Sequence, residues 1–156
     1  MSTAAVRFRR PGQREAPAFP DREEQHVKYV ILIHSNPQPW GHPTADFVAE
    51  HQALPPEQRE RMNAAFAELL EELSARGELV GGEALGDPAT ARLYRWEAGQ
   101  PLVTDGPYSE SKEHLAGFFL LDVESPERAE ELAARFSGPG DTVELRPAMW
   151  PGGDDQ

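Results

Sequence analysis

Two stretches of the chain are apolar on both of their alternating faces. From Val27 to His34, the side chains of Val27, Tyr29, Ile31 and Ile33 fall on one side of a strand and those of Val30 and Leu32 on the other. From Ala116 to Val123, Phe118 and Leu120 alternate with Phe119 and Leu121 in the same way. A helical period governs the segment after Pro55-Pro56, where Met62, Phe66, Leu69, Leu70 and Leu73 share one stripe and Gly77 is placed to end it. A second helix is predicted from Ser125, a capping residue, with Pro126 at its first position and Glu127 near its positive end. Its stripe is Ala129, Leu132, Ala133 and Phe136, and Gly138 is expected to end it. Shorter strands are predicted at Glu78 to Leu85 and Thr142 to Ala148. A hairpin of Ala91 to Trp96 and Pro101 to Asp105 turns through Glu97-Ala98-Gly99-Gln100. The long Pro- and Trp-containing loop from Ser35 to about Pro56 has room for a short helix around Asp46 to Gln52.

The predicted order is β-α-β, a hairpin, then β-α-β. That order matches an α+β, ferredoxin-like antiparallel sheet with both helices on one face. Helices cover only one face, so the second apolar face of the two long strands needs a partner. Two such sheets stacked face to face would supply it, giving a homodimer in the form of a dimeric α+β barrel. A monomer whose loop or arm covers that face is the alternative.

Residues 1–25 break this regularity: they hold Pro11, Gly12, Pro17 and Pro20 with many charges and no period. They read as a disordered or loosely docked arm ahead of a domain at 26–150, with 151–156 as a polar tail. Docking through Phe8 or Phe19 would give the arm a folded role. The three early arginines, Arg7, Arg9 and Arg10, are not followed by an apolar stretch, so a signal peptide is not predicted and the cytoplasm is the expected compartment. No run approaches the roughly 20 apolar residues of a membrane helix.

Charge and composition remove further classes. The net charge is −12 and residues 1–26 carry five arginines against four acids, so the body is strongly acidic. That opposes nucleic-acid binding, which needs a basic face to displace counterions. With no cysteine, disulfides, thiol catalysis and Cys-based metal clusters are excluded. There is no phosphate-binding glycine loop and no G-x-S-x-G nucleophile turn.

Residues 102–117 read Leu-Val-Thr-Asp-Gly-Pro-Tyr-Ser-Glu-Ser-Lys-Glu-His-Leu-Ala-Gly. This stretch closely resembles the signature of the YCII-related, DGPF-type (DGPFAETKE) family, a strand ending in V-T-D-G-P-F followed by A-E-T-K-E and a glycine-containing strand start. Gly81-Gly82-Glu83-Ala84-Leu85, Ala89-Thr90 and Val143-Glu144-Leu145-Arg146-Pro147 also resemble family positions, in the same order, over about residues 27–148. The chain departs from the family pattern at Tyr108, where Phe is usual, at His114, where Gln or Leu is usual, and at His34, where Tyr or Arg is frequent. The resemblance implies a dimeric ferredoxin-like fold. It also implies kinship with enzymes acting on small cyclic substrates and a histidine–aspartate reactive centre.

The candidate catalytic pair is His34 with Asp105. His34 ends an apolar strand, where side chains reach a cleft and imidazole can move protons near neutral pH. Asp105 has two compatible readings: a carboxylate that bonds its own Asp-Gly-Pro turn, or a base and histidine partner. Candidate substrate contacts are Glu83 beside two glycines, Tyr108, Lys112 as an anion contact, His114, and Trp40 as an apolar lid. His34, His42 and His51 are too loosely spaced for a metal reading, so no metal and no cofactor are expected. Two functions remain open. One is a cofactor-independent lyase or isomerase acting on a small-molecule ligand. The other is a non-catalytic ligand-binding or regulatory dimer with the same pocket and neither nucleic-acid nor membrane partners.

Overall fold

The computed structural model describes residues 26–149. The predicted arm at 1–25 and the tail at 151–156 lie outside the described residues. The first doubly apolar stretch is strand β1 (Val27–Ser35). Short helix α1 (Ala49–Gln52) and long helix α2 (Pro56–Ala75) follow, then β2 (Leu79–Ala84), β3 (Arg92–Glu97) and β4 (Gln100–Asp105). The chain continues through β5 (His114–Val123), helix α3 (Pro126–Phe136) and β6 (Thr142–Pro147). Single 3-10 turns sit at Thr44–Phe47 and Pro88–Thr90.

Four strands form one antiparallel sheet in the order β2-β5-β1-β6. The two doubly apolar strands are its centre, because only central strands can bury both edges of their backbone. The order and the β1-α2-β2 and β5-α3-β6 connections are consistent with a ferredoxin-like arrangement. Among the described residues the sheet is open and closes no barrel. β3 and β4 pair only with each other, forming a second, two-stranded sheet.

Register assigns the faces. Tyr29 lies opposite Leu121 and Ile31 opposite Phe119, on the side packed by Leu69 and Leu73 of α2 and Ala129, Leu132 and Phe136 of α3. Phe66, Phe119 and Phe136 meet edge-to-face or tilted, with ring centroids 4.9–6.2 Å apart, and lock both helices to β5. On the other side Val30 faces Leu120 and Leu32 faces Phe118. Leu120 remains 38% exposed, and among the described residues the long helices pack on the opposite face.

The two helices end differently. Gly77 follows α2 in the left-handed region, at φ 69°, as its position in the sequence implies. α3 ends at Phe136, two residues before Gly138, the same offset as α2 to Gly77, but Gly138 is not among the glycines with positive φ. Ser137 is extended at φ −71° and ψ 140°, and its hydroxyl donates to the Ala134 carbonyl at 2.6 Å. Pro139 disfavours the helical region at Gly138, so no left-handed glycine is needed there. At the start of α3, Ser125 Oγ accepts from the Arg128 N–H at 3.1 Å. Ser125→Ala is therefore expected to lower stability by about 1 kcal/mol, a fall in melting temperature of about 3 °C; an unchanged melt would show that the cap adds nothing.

The one buried ion pair of the described residues was not legible in the pattern. Glu78, just before β2, is 4% exposed, and Arg128 of α3 is 8% exposed. Arg128 Nε and Nη2 donate to the two carboxylate oxygens of Glu78 at 3.0 and 2.9 Å. The bidentate bond holds the Glu78 carboxyl below its ordinary value against the opposing effect of burial.

Candidate functional site

β1 ends where β5 and β6 begin, so one end of the sheet collects the loop after β1, the residues before β5 and the turn before β6. The polar candidates converge there because strand ends are where polar side chains replace the apolar rows. His34 and Ser35 occupy the last two positions of β1 and, by strand alternation, point to opposite faces.

On the open face, the His34 Nε2–H donates to Glu144 Oε1 at 3.0 Å. Glu144 reaches this contact from β6, where it lies opposite Leu32, two residues along from the His34–Thr142 pair. Arg146 Nε donates to the other oxygen, Glu144 Oε2, at 2.5 Å. These bonds, His34 first and Arg146 second, hold the Glu144 carboxyl below the usual glutamate range. His34 and Glu144 are each about two-thirds covered, beside the apolar row of Val30, Leu32, Phe118 and Leu120.

On the helix side, a cleft of about 390 Å³ opens between the loop after β1, α1 and the turn before β6. Glu50, Glu113 and Asp141 contribute three carboxyls to its wall and Lys112 one ammonium, with Phe47 and the amides of Asn36 and Gln38 beside them. Gly140 makes this possible. It sits at φ 81°, and a Cβ there would stand 2.5 Å from both Glu50 Oε2 and Val48 Cγ1, so only glycine lets the turn press against α1. Burial pushes the Asp141 carboxyl above its ordinary value. Glu113 and Glu50 push the same way, and Ser35 and His51 act against them. Ser35 approaches Asp141 without reaching good hydrogen-bond geometry. Ser35 Oγ, His51 Nδ1 and Asp141 Oδ1 are all buried without a partner among the described residues.

The structure distributes the sequence candidates as follows. His34, Glu83, Trp40, Lys112 and His114 share this end of the sheet. Glu83 is exposed on the open face opposite Phe118. Trp40 Nε1 donates to the Leu85 carbonyl at 2.9 Å, pinning the loop after β1 to the end of β2. His114 pairs with Ser35 across the strands, and Lys112 lines the cleft. Asp105 is elsewhere. It ends β4 in the two-stranded sheet, its side chain is 86% exposed, and its carboxylate lies 3.4 Å from Arg92 Nε. It is not brought to His34, whose acidic partner is Glu144. Nor does its side chain shape the turn. Gly106 does so: its N–H donates to the Ala91 carbonyl at 2.7 Å, in space that a Cβ would share with Ala91. Tyr108 is exposed in the same turn region. Among the described residues no three His, Asp or Glu side chains are gathered as metal ligands would be. His42 is exposed and His51 buried.

Glu144, Asp141, Ser35 and Glu50 were not singled out by sequence. A signal for Asp141 was present in Gly138-Pro139-Gly140-Asp141, a turn sequence leading into a strand beside other strand ends. Glu144 stood in the Val143–Pro147 stretch that resembles the family, but nothing in that stretch marked its contact with His34, which depends on register.

Comparison with known proteins gives a family and one relative. The family model described as YCII-related domain matches residues 27–147. An uncharacterized protein of Rhizobium meliloti (strain 1021) is 31% identical over 94 residues, covering 58% of this chain and 76% of the relative.

Proposed function

The chain belongs to the YCII-related domain family, and we propose that it works as a homodimer, joined through the open sheet face, that performs acid–base chemistry on a small molecule with His34 and Glu144. The observation that carries this reading is the 3.0 Å bond between His34 Nε2 and Glu144 Oε1 at the edge of an uncovered apolar row. Two sheets stacked on that row would form a dimeric α+β barrel and leave the polar pair at its rim, where a pocket needs both apolar walls and a few convergent polar groups.

The chemistry follows from the pair. Glu144 stays ionised because His34 and Arg146 both donate to it. It fixes the tautomer with hydrogen on Nε2, which leaves Nδ1 of His34 free of that hydrogen and able to take a proton from a substrate. Glu144 then stabilises the imidazolium that forms, and the proton is returned either to another atom of the same molecule, as in an isomerase, or to the group that leaves as its bond to the neighbouring carbon breaks, as in a lyase. That is the proton traffic of an isomerase or lyase, and it needs no cofactor. The second reading is the same dimer binding a ligand without converting it. It is favoured by the position of Asp105, which is engaged by Arg92 on an exposed hairpin and supplies no second acid to His34.

The test is to incubate the protein with a small-molecule metabolite extract and follow its components by mass spectrometry. Wild type should convert a compound that His34→Gln leaves untouched, and Glu144→Gln should slow the conversion by about 10²-fold or more. A compound retained but unchanged by wild type would establish the binding reading. Conversion at equal rates by wild type and both variants would remove His34 and Glu144 from the chemistry.

A further inference from the structure

The His34–Glu144 reading leaves the far side of a bound substrate without a contact. Among the described residues Glu144 is the one ionisable side chain bonded to His34, and Asp105 stands away on the hairpin. We infer that the missing contact comes from the second copy of the chain: Glu83 of the partner subunit completes each His34–Glu144 site, as a carboxylate that holds the substrate against His34. The inference rests on the proposed open-face dimer and adds how its two sheets are stacked.

Register lays out the open face. At its centre β5 carries Phe118, Leu120 and Asp122, and β1 carries Leu32, Val30 and Lys28 opposite them in that order. At one edge β2 carries Glu83, beside Phe118. At the other edge β6 carries Glu144 and Arg146, beside Leu32 and Val30. Glu144 is held by His34 and Arg146, and Asp122 Oδ1 lies 3.3 Å from His26 Nδ1. Glu83 and Lys28, both exposed, are the charged side chains of this face without an ion pair among the described residues.

Two identical sheets with nearly aligned strands can stack about a two-fold axis in two ways. With the axis across the strands, each strand covers its own copy. Phe118 then meets the partner's Leu120, and Val30 meets the partner's Leu32, bulky on bulky and small on small. The two Glu83 carboxylates share one edge, and Lys28 moves toward the partner's His34. With the axis along the strands, β5 of one copy covers β1 of the other. Phe118 meets the partner's Leu32 and Leu120 meets the partner's Val30, larger side chains on smaller ones, as even packing of two layers requires. Asp122 meets the partner's Lys28, and β2 crosses over the partner's β6. Both unpaired charges then face opposite ones, so size and charge favour this arrangement.

It sets Glu83 at the level of the partner's Glu144. A rotation of about 30° between the sheets moves an edge strand by about 4 Å, roughly one residue in either direction. Glu83 therefore stays over the group formed by the partner's Arg146, the partner's Glu144 and the partner's His34. An ionised carboxylate offers acceptors and no donor. The substrate class is thus a small molecule with a hydroxyl or ammonium donor near the C–H bond whose proton His34 takes.

The chain has no cysteine, so cross-linking can be addressed to single positions. Full-length Glu83→Cys and Arg146→Cys chains are co-expressed, or expressed alone, and treated with a short bismaleimide. The co-expressed pair should give a covalent dimer and neither variant alone should, since the two edges of one sheet lie about 14 Å apart. A cross-link in either variant alone, or none in a co-expressed pair that sediments as a dimer, overturns the inference and leaves the open-face dimer standing. A wild type that sediments at the chain mass removes both. Function is read in the metabolite-extract assay. His34→Gln should abolish conversion, and Glu83→Gln should lower it about tenfold at low substrate concentration, the loss of one hydrogen bond to a charged group. Co-expressed, these two should recover about a quarter of the wild-type rate, because half of the dimers are mixed and each mixed dimer holds one intact site. A rate of about a twentieth would mean that Glu83 serves its own chain, and an unimpaired Glu83→Gln would mean that it serves neither; either overturns the inference. If wild type converts nothing, the acid–base reading falls, and the cross-link pattern still decides where Glu83 lies.

Discussion

Arg128→Ala is expected to lower folding stability by about 3–5 kcal/mol, because it strands a buried carboxylate. The two hydrogen bonds from Arg128 to Glu78, at 3.0 and 2.9 Å, would both be lost. Arg76 Nε lies 2.8 Å from Glu78 Oε1, but its side chain is half exposed, so it recovers only part of the loss. The loss corresponds to a fall in melting temperature of about 10 °C or more for a chain of this size. The pH dependence has a definite sign. The Glu78 carboxyl is held low in the folded protein, first by its bond to Arg128. Its contribution is therefore fully present above the ordinary glutamate value and is lost as pH falls through the lower folded value. In Arg128→Ala the same carboxyl is buried with little compensation, so protonation becomes favourable and the penalty shrinks on acidification. Urea titrations at neutral pH and near pH 4 should show the gap between the two proteins narrowing. A gap under about 1 kcal/mol at neutral pH would mean that water or Arg76 replaces the pair.

That ion pair also shows where sequence reading stops. β1, β5, α2 and α3 were legible because each repeats one period over several residues, and tertiary packing reinforces the same period. The start of α3 was legible because Ser125-Pro126 carries its own local chemistry. Arg128 gave no signal: it stands in the exposed-looking first turn of α3, and its partner is 50 residues away in sequence. The proposed His34–Asp105 pairing rested on placing all the short strands in one sheet. β3 and β4 form their own sheet instead, which carries Asp105 out to solvent. A register shift between Ile33 and His34 on the β5 side, together with the β6 register, decides what His34 meets. Neither is encoded in a short motif. The stretch at 102–117 identified the family, but most of its side chains are exposed, so recognising the family did not locate the groups that touch one another.

Leu120→Asp is expected to convert a dimer of about twice the 17.3 kDa chain mass into a monomer at micromolar concentration, without unfolding the chain. Leu120 pairs with Val30 on the open face, away from the core formed by Tyr29, Ile31, Leu121 and the helices. In the isolated chain the new carboxylate would face water, so the monomer should lose little stability. In a two-fold interface each substitution occurs twice. Each copy forfeits about 1.5–3 kcal/mol of leucine burial and must desolvate a charge. Those terms together exceed what separates a micromolar dimer from a millimolar one, about 4 kcal/mol. The exposed hairpin supplies the control. Tyr94 and Trp96 are 68% and 73% exposed there, and a dimer built on the hairpin would be split by Trp96→Ser and indifferent to Leu120→Asp. Sedimentation velocity on the three proteins distinguishes the arrangements. Association that survives Leu120→Asp, or a wild type that sediments at the chain mass, would remove the open face as the interface. The placement of His34 and Glu144 at the rim of a closed barrel would fall with it.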